Sequence, residues 1–341
     1  PMRVLIPGVL WIAFIALSLM WSSDTSLGFR GVWANRWILL VAGLWPLMSR
    51  WPYLLLAILV GALIQSFAMI IDGIIEWNRW TGEAVLGLNE HPRPSAAWIS
   101  AALVGLLSLY FSGYLKRWYW LLAIIPMALS LILSGSRGGL LALVLGVAVT
   151  AICLLATRQL RIKRTLSLAI VFAVLVGASM QFQSQILPSA NKAMKATTEM
   201  VTTGQLTDVR LVWWKSSLRQ WQNNPIFGYG AGGSAEALKN DEQLHKDAEL
   251  LSKTHQENIV ANQPHSTYFQ VLLEGGLVGI GLLFFLLGSI AFMALRTARY
   301  HPVGSMALGG LTVWMVTAAF DSWHTQGQTL ALLWAVATFA S

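Results

Sequence analysis

Ten long runs of apolar residues dominate this chain, near residues 4–21, 33–48, 53–75, 96–114, 118–134, 139–156, 166–183, 268–295, 304–321 and 328–341. A helix needs about 20 mostly apolar residues to cross the hydrocarbon core, where each backbone polar group must be satisfied within the protein. The runs are continuous rather than alternating, which argues against a β-barrel. Only 11% of the 341 residues are charged, less than half the roughly 25% of a water-soluble domain. The expected fold class is an all-α polytopic membrane protein, a helical bundle. The 17 tryptophans fit that reading, since indole rings favour the membrane–water interface. The first run has no small-residue cleavage site and reads as an anchor; both ends of the chain read as trimmed. Cys153, the single cysteine, excludes an intrachain disulfide and a thiolate metal cluster.

Charge sorts the connecting segments into two alternating sets. One holds Arg3, Arg50, Lys116, Arg117, Arg158, Arg161, Lys163, Arg164, Arg296 and Arg299, with no Asp or Glu. The other, with the adjoining span ends, holds all 15 acidic residues. Short basic loops belong in the cytoplasm. The N-terminus is therefore expected inside, and the segments 22–32, 76–95, 134–138 and 184–265 outside. This division accounts for most of the net charge of +8. The run 159–164 reads as a cytoplasmic charge anchor, and no nucleic-acid partner is expected. The chain divides into N-terminal membrane helices over 1–183, an outer loop or cap over 184–265 and C-terminal membrane helices over 266–341.

The outer segment gathers charge of both signs, 16 of the 38 charged residues. Leu211, Trp214, Leu218 and Trp221 recur at helical spacing between Asp208 and Asn223, which predicts an amphipathic helix along the bundle or membrane surface. Asn224-Pro225 ends it, a glycine-rich loop spans 228–233, and a polar helix-prone stretch begins at Ser234. A structured outer cap is expected.

Several outward residues could carry chemistry. Arg137 lies in Ser134-Gly135-Ser136-Arg137-Gly138-Gly139, a turn between spans. It reads either as an arginine snorkelling to headgroups or as an anion ligand whose flanking glycines let backbone N–H groups approach a phosphate. Arg210 reads either as a solvated charge paired with Asp208 or as a second anion ligand. His265, after Pro264 at the opening of the eighth run, reads either as a helix-start histidine or as a general base. Glu274, nine residues on, falls on roughly the opposite side of that helix and is not paired with it. The segment 76–95 carries Arg79, Glu83, Asn89, His91 and Arg93, which either cap the fourth span or line a site. Asp321, Trp323, His324 and Gln326 form a small outer turn, which either lines a site or only joins two spans. No metal-ligand spacing is present.

Four stretches, in this order, resemble the O-antigen ligase and polymerase superfamily of bacterial membrane glycosyltransferases. They are Gly87 to Pro92; Ser134 to Leu141; Asp208-Val209-Arg210 leading to Asn224-Pro225-Ile226-Phe227-Gly228-Tyr229-Gly230; and Pro264-His265-Ser266-Thr267-Tyr268 followed by Leu273-Glu274-Gly275-Gly276-Leu277-Val278-Gly279. The likeness covers roughly 75–340, and Ser266 stands where the family often has Asn.

The resemblance implies a GT-C-like bundle of about ten to twelve membrane helices with a helical periplasmic cap, in the bacterial inner membrane. It implies a glycan donor on undecaprenyl diphosphate and a lipid A–core sugar hydroxyl as acceptor, with no cofactor and no metal. Arg137 and Arg210 would hold the diphosphate as charge departs, and His265 would accept the hydroxyl proton. Arg79 and His91 would line the substrate site, and Trp213, Trp214 and Trp221 would stack on sugar faces or anchor at the interface, with Trp214 taken as the substrate contact. Direct displacement would invert the anomeric carbon. The rival readings are an O-antigen polymerase, a protein O-oligosaccharyltransferase, a transporter or flippase with helices broken near the midplane, and an intramembrane serine protease using Ser134 or Ser136 with His265.

Overall fold

The computed structural model describes residues 2–75, 87–88, 92–160, 209–249 and 263–340. The expected span 166–183 and two expected site residues, Arg79 and His91, lie outside the described residues. All regular structure among the described residues is helical. The N-terminal half contains α1 (Met2–Ser18), α2 (Thr25–Ala34), α3 (Leu39–Leu44), α4 (Trp51–Ile75), α5 (Pro92–Phe111), α6 (Ile124–Leu133) and α7 (Arg137–Ala156). Three cap helices follow, α8 (Val209–Trp221), α9 (Ser234–Lys239) and α10 (Glu242–Glu249). The chain then returns through α11 (Thr267–Ala298), α12 (Pro302–Ala318) and α13 (Gly327–Ala340).

Five helical stretches among the described residues are long and apolar enough to cross a membrane, and three shorter apolar helices accompany them. The protein is thus an all-α, multi-pass membrane protein. The second expected span, 33–48, is not a regular α-helix. It is α3 flanked by 3₁₀ turns at Asn35–Ile38 and Trp45–Arg50, so residues 25–75 run on as one interrupted helical stretch. Pro46 lacks the N–H that a continuing helix would use there.

The core is the group α5, α7 and α12, with α11 and α13 also packed on α12, α1 on α11, and α4 on α5 and α6. Small residues let α7 and α12 approach closely: a Cβ on Gly309 would come within 2.9 Å of the Gly146 carbonyl. Trp314, Trp323 and Trp334 are fully buried here, so tryptophan fills this core as well as any interface.

Among the described residues, the short basic connections and the turns that carry the candidate site lie at opposite ends of the bundle. Tyr114, Lys116, Arg158 and Pro302 line one cavity of about 640 Å³, and Gln159 donates to the Ala298 carbonyl beside it at 2.7 Å. The 134–139 turn, the start of α11 and the turn after α12 meet at the other end.

The cap joins the bundle through a break in α11. Gly276 has φ +60° and ψ −156° inside that helix. In an unbroken helix Leu277 and Val278 would donate to the carbonyls of Leu273 and Glu274. Instead, Tyr229 and Gly230 donate to Leu273 and Glu274 at 3.0 and 2.8 Å, while Leu277 and Val278 donate to Pro225 and Ile226 at 2.9 and 3.1 Å. The 225–230 loop therefore satisfies the four groups that the break exposes, as a buried membrane-protein backbone requires. The same loop is pinned to α1, since Ser22 Oγ donates to the Ala231 carbonyl at 2.6 Å and the Ala231 N–H donates to Ser18 Oγ at 3.1 Å.

Gly228, at φ +66°, tests this joint, because a Cβ there would sit 2.5 Å from the Leu273 carbonyl oxygen and the Glu274 backbone. Gly228→Ala is expected to cost at least about 2 kcal/mol from strain and overpacking. Gly281→Ala, where the space is open, should be neutral or mildly stabilising. Thermal unfolding of the two variants in the same detergent checks the contrast.

The helix expected at 208–223 is present, but its buried face differs from the expected one. Val212, Trp213, Ser216 and Ser217 are buried, and Leu218 is 41% exposed. Two small serines let α8 seat against its neighbours, so packing selects that face over the Leu211–Leu218 stripe. Arg219 then ties α8 to the rest of the cap, reaching Asp241 and Asp247 at 2.6 Å each. Burial opposes charge on Asp241, but the Arg219 hydrogen bonds outweigh it and hold its carboxyl below the ordinary range.

Candidate active site

The turn between α6 and α7 is built as an N-terminal cap. Ser134 Oγ donates back to the Leu131 carbonyl at 2.6 Å and Gly135 takes a left-handed φ of +62°. Ser136 is the N-cap, its hydroxyl accepting from the Gly139 N–H at 3.1 Å. Arg137 is the first helical residue of α7. The positive end of a helix dipole and a guanidinium thus share one corner, an arrangement suited to an anion. Both serine hydroxyls are taken up by their own turn, which leaves the serine-protease reading without support.

Arg137 opens onto a cavity of about 580 Å³ that Arg93, Arg210 and Asp321 also line. Gly138, Leu141, Phe320 and Trp323 complete its apolar walls. Among the described residues, the lining holds three guanidinium groups and one carboxylate. Arg93 Nη1 lies 3.2 Å from Asp321 Oδ2, with the Arg93 side chain 46% exposed.

His265 does not line this cavity itself. It stands behind Asp321, with Nδ1 3.7 Å from Asp321 Oδ1. Its backbone has φ +51°, a left-handed conformation that costs a non-glycine residue about 1 kcal/mol or more and clusters at functional sites. Three contacts hold it there. Its ring stacks on Trp213 at 4.7 Å between centroids and 30° between planes. Trp214 Nε1–H donates to the Pro264 carbonyl at 3.1 Å, and Trp214 stacks on Phe269 at 5.1 Å. The ring of Trp214 is therefore packed on protein and lies outside the cavity lining. One face of the ring is engaged by Phe269.

Asp321 is fixed from all sides. Thr267 donates to its carbonyl through both N–H and Oγ1 at 2.9 Å, and the Ser322 N–H donates to Oδ1 at 2.8 Å. Burial favours the neutral acid, but the facing His265, the Arg93 charge and the Ser322 N–H outweigh it, and the carboxyl falls from 3.8 to about 2. A depressed carboxylate stabilises the fold fully above its unfolded value and loses that contribution as pH falls through its folded value. A shift of this size is worth about 2 kcal/mol. The wild-type thermal midpoint should therefore decline between pH 4 and pH 2 by more than that of Asp321→Asn, and the two curves should converge near pH 2. Parallel curves through that window would exclude the carboxylate as the source.

Of the residues expected from the sequence, Arg137 and Arg210 are brought to one cavity, with His265 adjoining through Asp321. Glu274 does not meet His265 but faces His324 at 3.6 Å. Arg93 and Asp321 join them at the cavity, and Trp213 stacks on His265. The first two were visible as polar residues in outer turns, but nothing in the sequence pairs positions 228 residues apart. Among the described residues, no three His, Cys, Asp or Glu groups come close enough to hold a metal ion.

The fold and this cavity define a multi-pass membrane protein with a cationic site at one end of its helical bundle. Residues 121–285 match the family model described as O-antigen ligase. Over those residues, just under half of the chain, it is similar to that family, which supports a membrane glycosyltransferase of the O-antigen ligase or polymerase type. The match is narrower than 75–340. It contains Arg137, Arg210 and His265, whereas Arg93 and Asp321 lie outside it. No curated protein matches the chain.

Proposed function

We propose that the protein transfers a glycan from undecaprenyl diphosphate to a sugar hydroxyl of lipid A–core at the periplasmic face of the bacterial inner membrane. The observation that carries this reading is the shared cavity: Arg137 at a helix N-terminus, Arg210 on the cap helix and Arg93 opposite, all at the end away from the basic loops. A lipid diphosphate is an anion of matching charge, and guanidinium binds its oxygens in a fork.

In this mechanism the acceptor hydroxyl oxygen attacks the anomeric carbon and the bond from that carbon to the diphosphate breaks. The electron pair leaves with undecaprenyl diphosphate, held by Arg137 and Arg210 as negative charge grows on it. The hydroxyl proton passes to Nε2 of His265, whose Nδ1 faces Asp321. One direct displacement inverts the anomeric carbon. The leaving group is a lipid diphosphate, so the reaction as written needs neither a metal nor a nucleotide. Arg93 divides its charge between Asp321 and the cavity.

Deleting the gene in the native host tests the reading. Long glycans stranded on the lipid carrier beside bare core would establish a ligase. Single repeats still joined to core would replace it with a polymerase, and unchanged pools of both would overturn it in favour of protein glycosylation or transport.

A further inference from the structure

A second acidic–histidine pair lies beneath the first and outside the cavity. Glu274 and His324 are buried, at 6% and 5% exposure, with Nε2 of the histidine 3.6 Å from Oε2 of the carboxylate. Gln270 Nε2 donates to the other carboxylate oxygen at 2.8 Å, and the Ser234 hydroxyl of the cap faces the same group. Among the described residues, neither ring nitrogen of His324 has a hydrogen-bonding partner within ordinary bonding distance. Removing a carboxylate and an imidazole from water is costly, and an apolar pair of the same volume would often be as stable. The pair therefore calls for a reason other than stability.

Its place in the fold supplies one. Thr267 and Glu274 are seven residues apart, two turns of α11, and so share one face. The 321–325 turn docks on that face at both points. Thr267 takes the Asp321 carbonyl, and its Oγ1 accepts from the Trp323 N–H at 2.7 Å; Glu274 takes His324. His265 stands two residues before Thr267 on the same chain segment. The orientation of Asp321 relative to His265 is thus set by how this turn sits on α11. Glu274 also contributes the carbonyl that receives Gly230 at the helix break, which links the turn to the cap.

We propose that Glu274 and His324 are positioning residues that hold the Asp321 carboxylate against His265, so that His265 keeps the ring orientation needed to accept a proton. This rests on the reading of His265 as the base in glycosyl transfer. Neither Glu274 nor His324 is among the residues that line the cavity; the pair acts through the turn, whose Trp323 does line it.

The test uses the full chain in lipid nanodiscs with ¹⁵N-labelled histidine, the His265 signals being assigned by their loss in His265→Gln. Asp321→Asn should shift those signals, and Glu274→Gln and His324→Gln should reproduce the shift with the thermal midpoint held. His265 signals unchanged in both variants would overturn the proposal. Glu274→Gln, which keeps shape and the Gln270 contact, carries the test if His324→Gln fails to fold.

In cells lacking the endogenous gene, each variant should lower surface glycan transfer about tenfold or more, with no further loss in an Asp321→Asn background, because residues acting through one another are not additive. Independent, multiplying losses would mean that the pair does not work through Asp321. Wild-type transfer by Glu274→Gln beside a dead His265→Ala would overturn this pairing alone. Wild-type transfer by His265→Ala would remove the reading on which it rests.

Discussion

Arg137→Ala and Arg210→Ala are each expected to reduce glycan transfer by about a hundred- to a thousandfold, the loss that follows removal of one preorganised group facing developing charge. Both residues line the same cavity, from different parts of the chain, so neither guanidinium can stand in for the other's direction. Lysine at either position should recover part of the activity, because it restores the charge and not the two parallel N–H donors. The measurement is transfer by membranes that contain equal amounts of each variant. Arg137 is exposed and caps no helix with its side chain, so its replacement should leave the thermal midpoint within about 0.5 kcal/mol of wild type, as for an ordinary surface position. Wild-type transfer by either alanine variant would remove that residue from the mechanism.

His265→Ala should lower the rate by about a hundred- to ten-thousandfold, the contribution of a positioned general base. The protein should remain folded and inserted, because Trp213 and Trp214 stay packed through their other contacts, Trp213 in the cap cluster with Val212, Leu238 and Leu273 and Trp214 on Phe269. Donor binding should survive, since the cavity lining is unchanged. Inactive but donor-competent protein supports the base role. Loss of donor binding would instead make His265 part of the diphosphate site, and undiminished transfer would exclude both roles.

A broken membrane helix was expected of a transporter rather than of a transferase, and α11 is broken at Gly276. Gly276 is not among the residues that line the cationic cavity. The carbonyls and N–H groups of the break are taken by residues 225–230, so the interruption is a docking joint for the cap. Its place in the fold ties together two glycine-rich stretches that the sequence displays as separate motifs.

The sequence by itself determined the solvent and the class, and it named the candidate residues. Runs of about 20 apolar residues admit no structure but helices in lipid, and charge alternation divides the loops without reference to any contact. Arg137, Arg210 and His265 were legible because each interrupts its local pattern: an arginine in an outer turn, a cation on an amphipathic helix, a histidine after proline. Tertiary structure alone decided the partners and the faces. Asp321 reaches Arg93 and His265 across long separations, and separation in sequence carries no information about which charges meet. Periodicity marked a helix at 208–223 but offered more than one apolar face, and the small side chains of Ser216 and Ser217 settled which one packs. The helix break was invisible because glycine permits a left-handed backbone without requiring one; only the arrival of the cap loop, with donors and acceptors at the right four groups, makes the broken form satisfied.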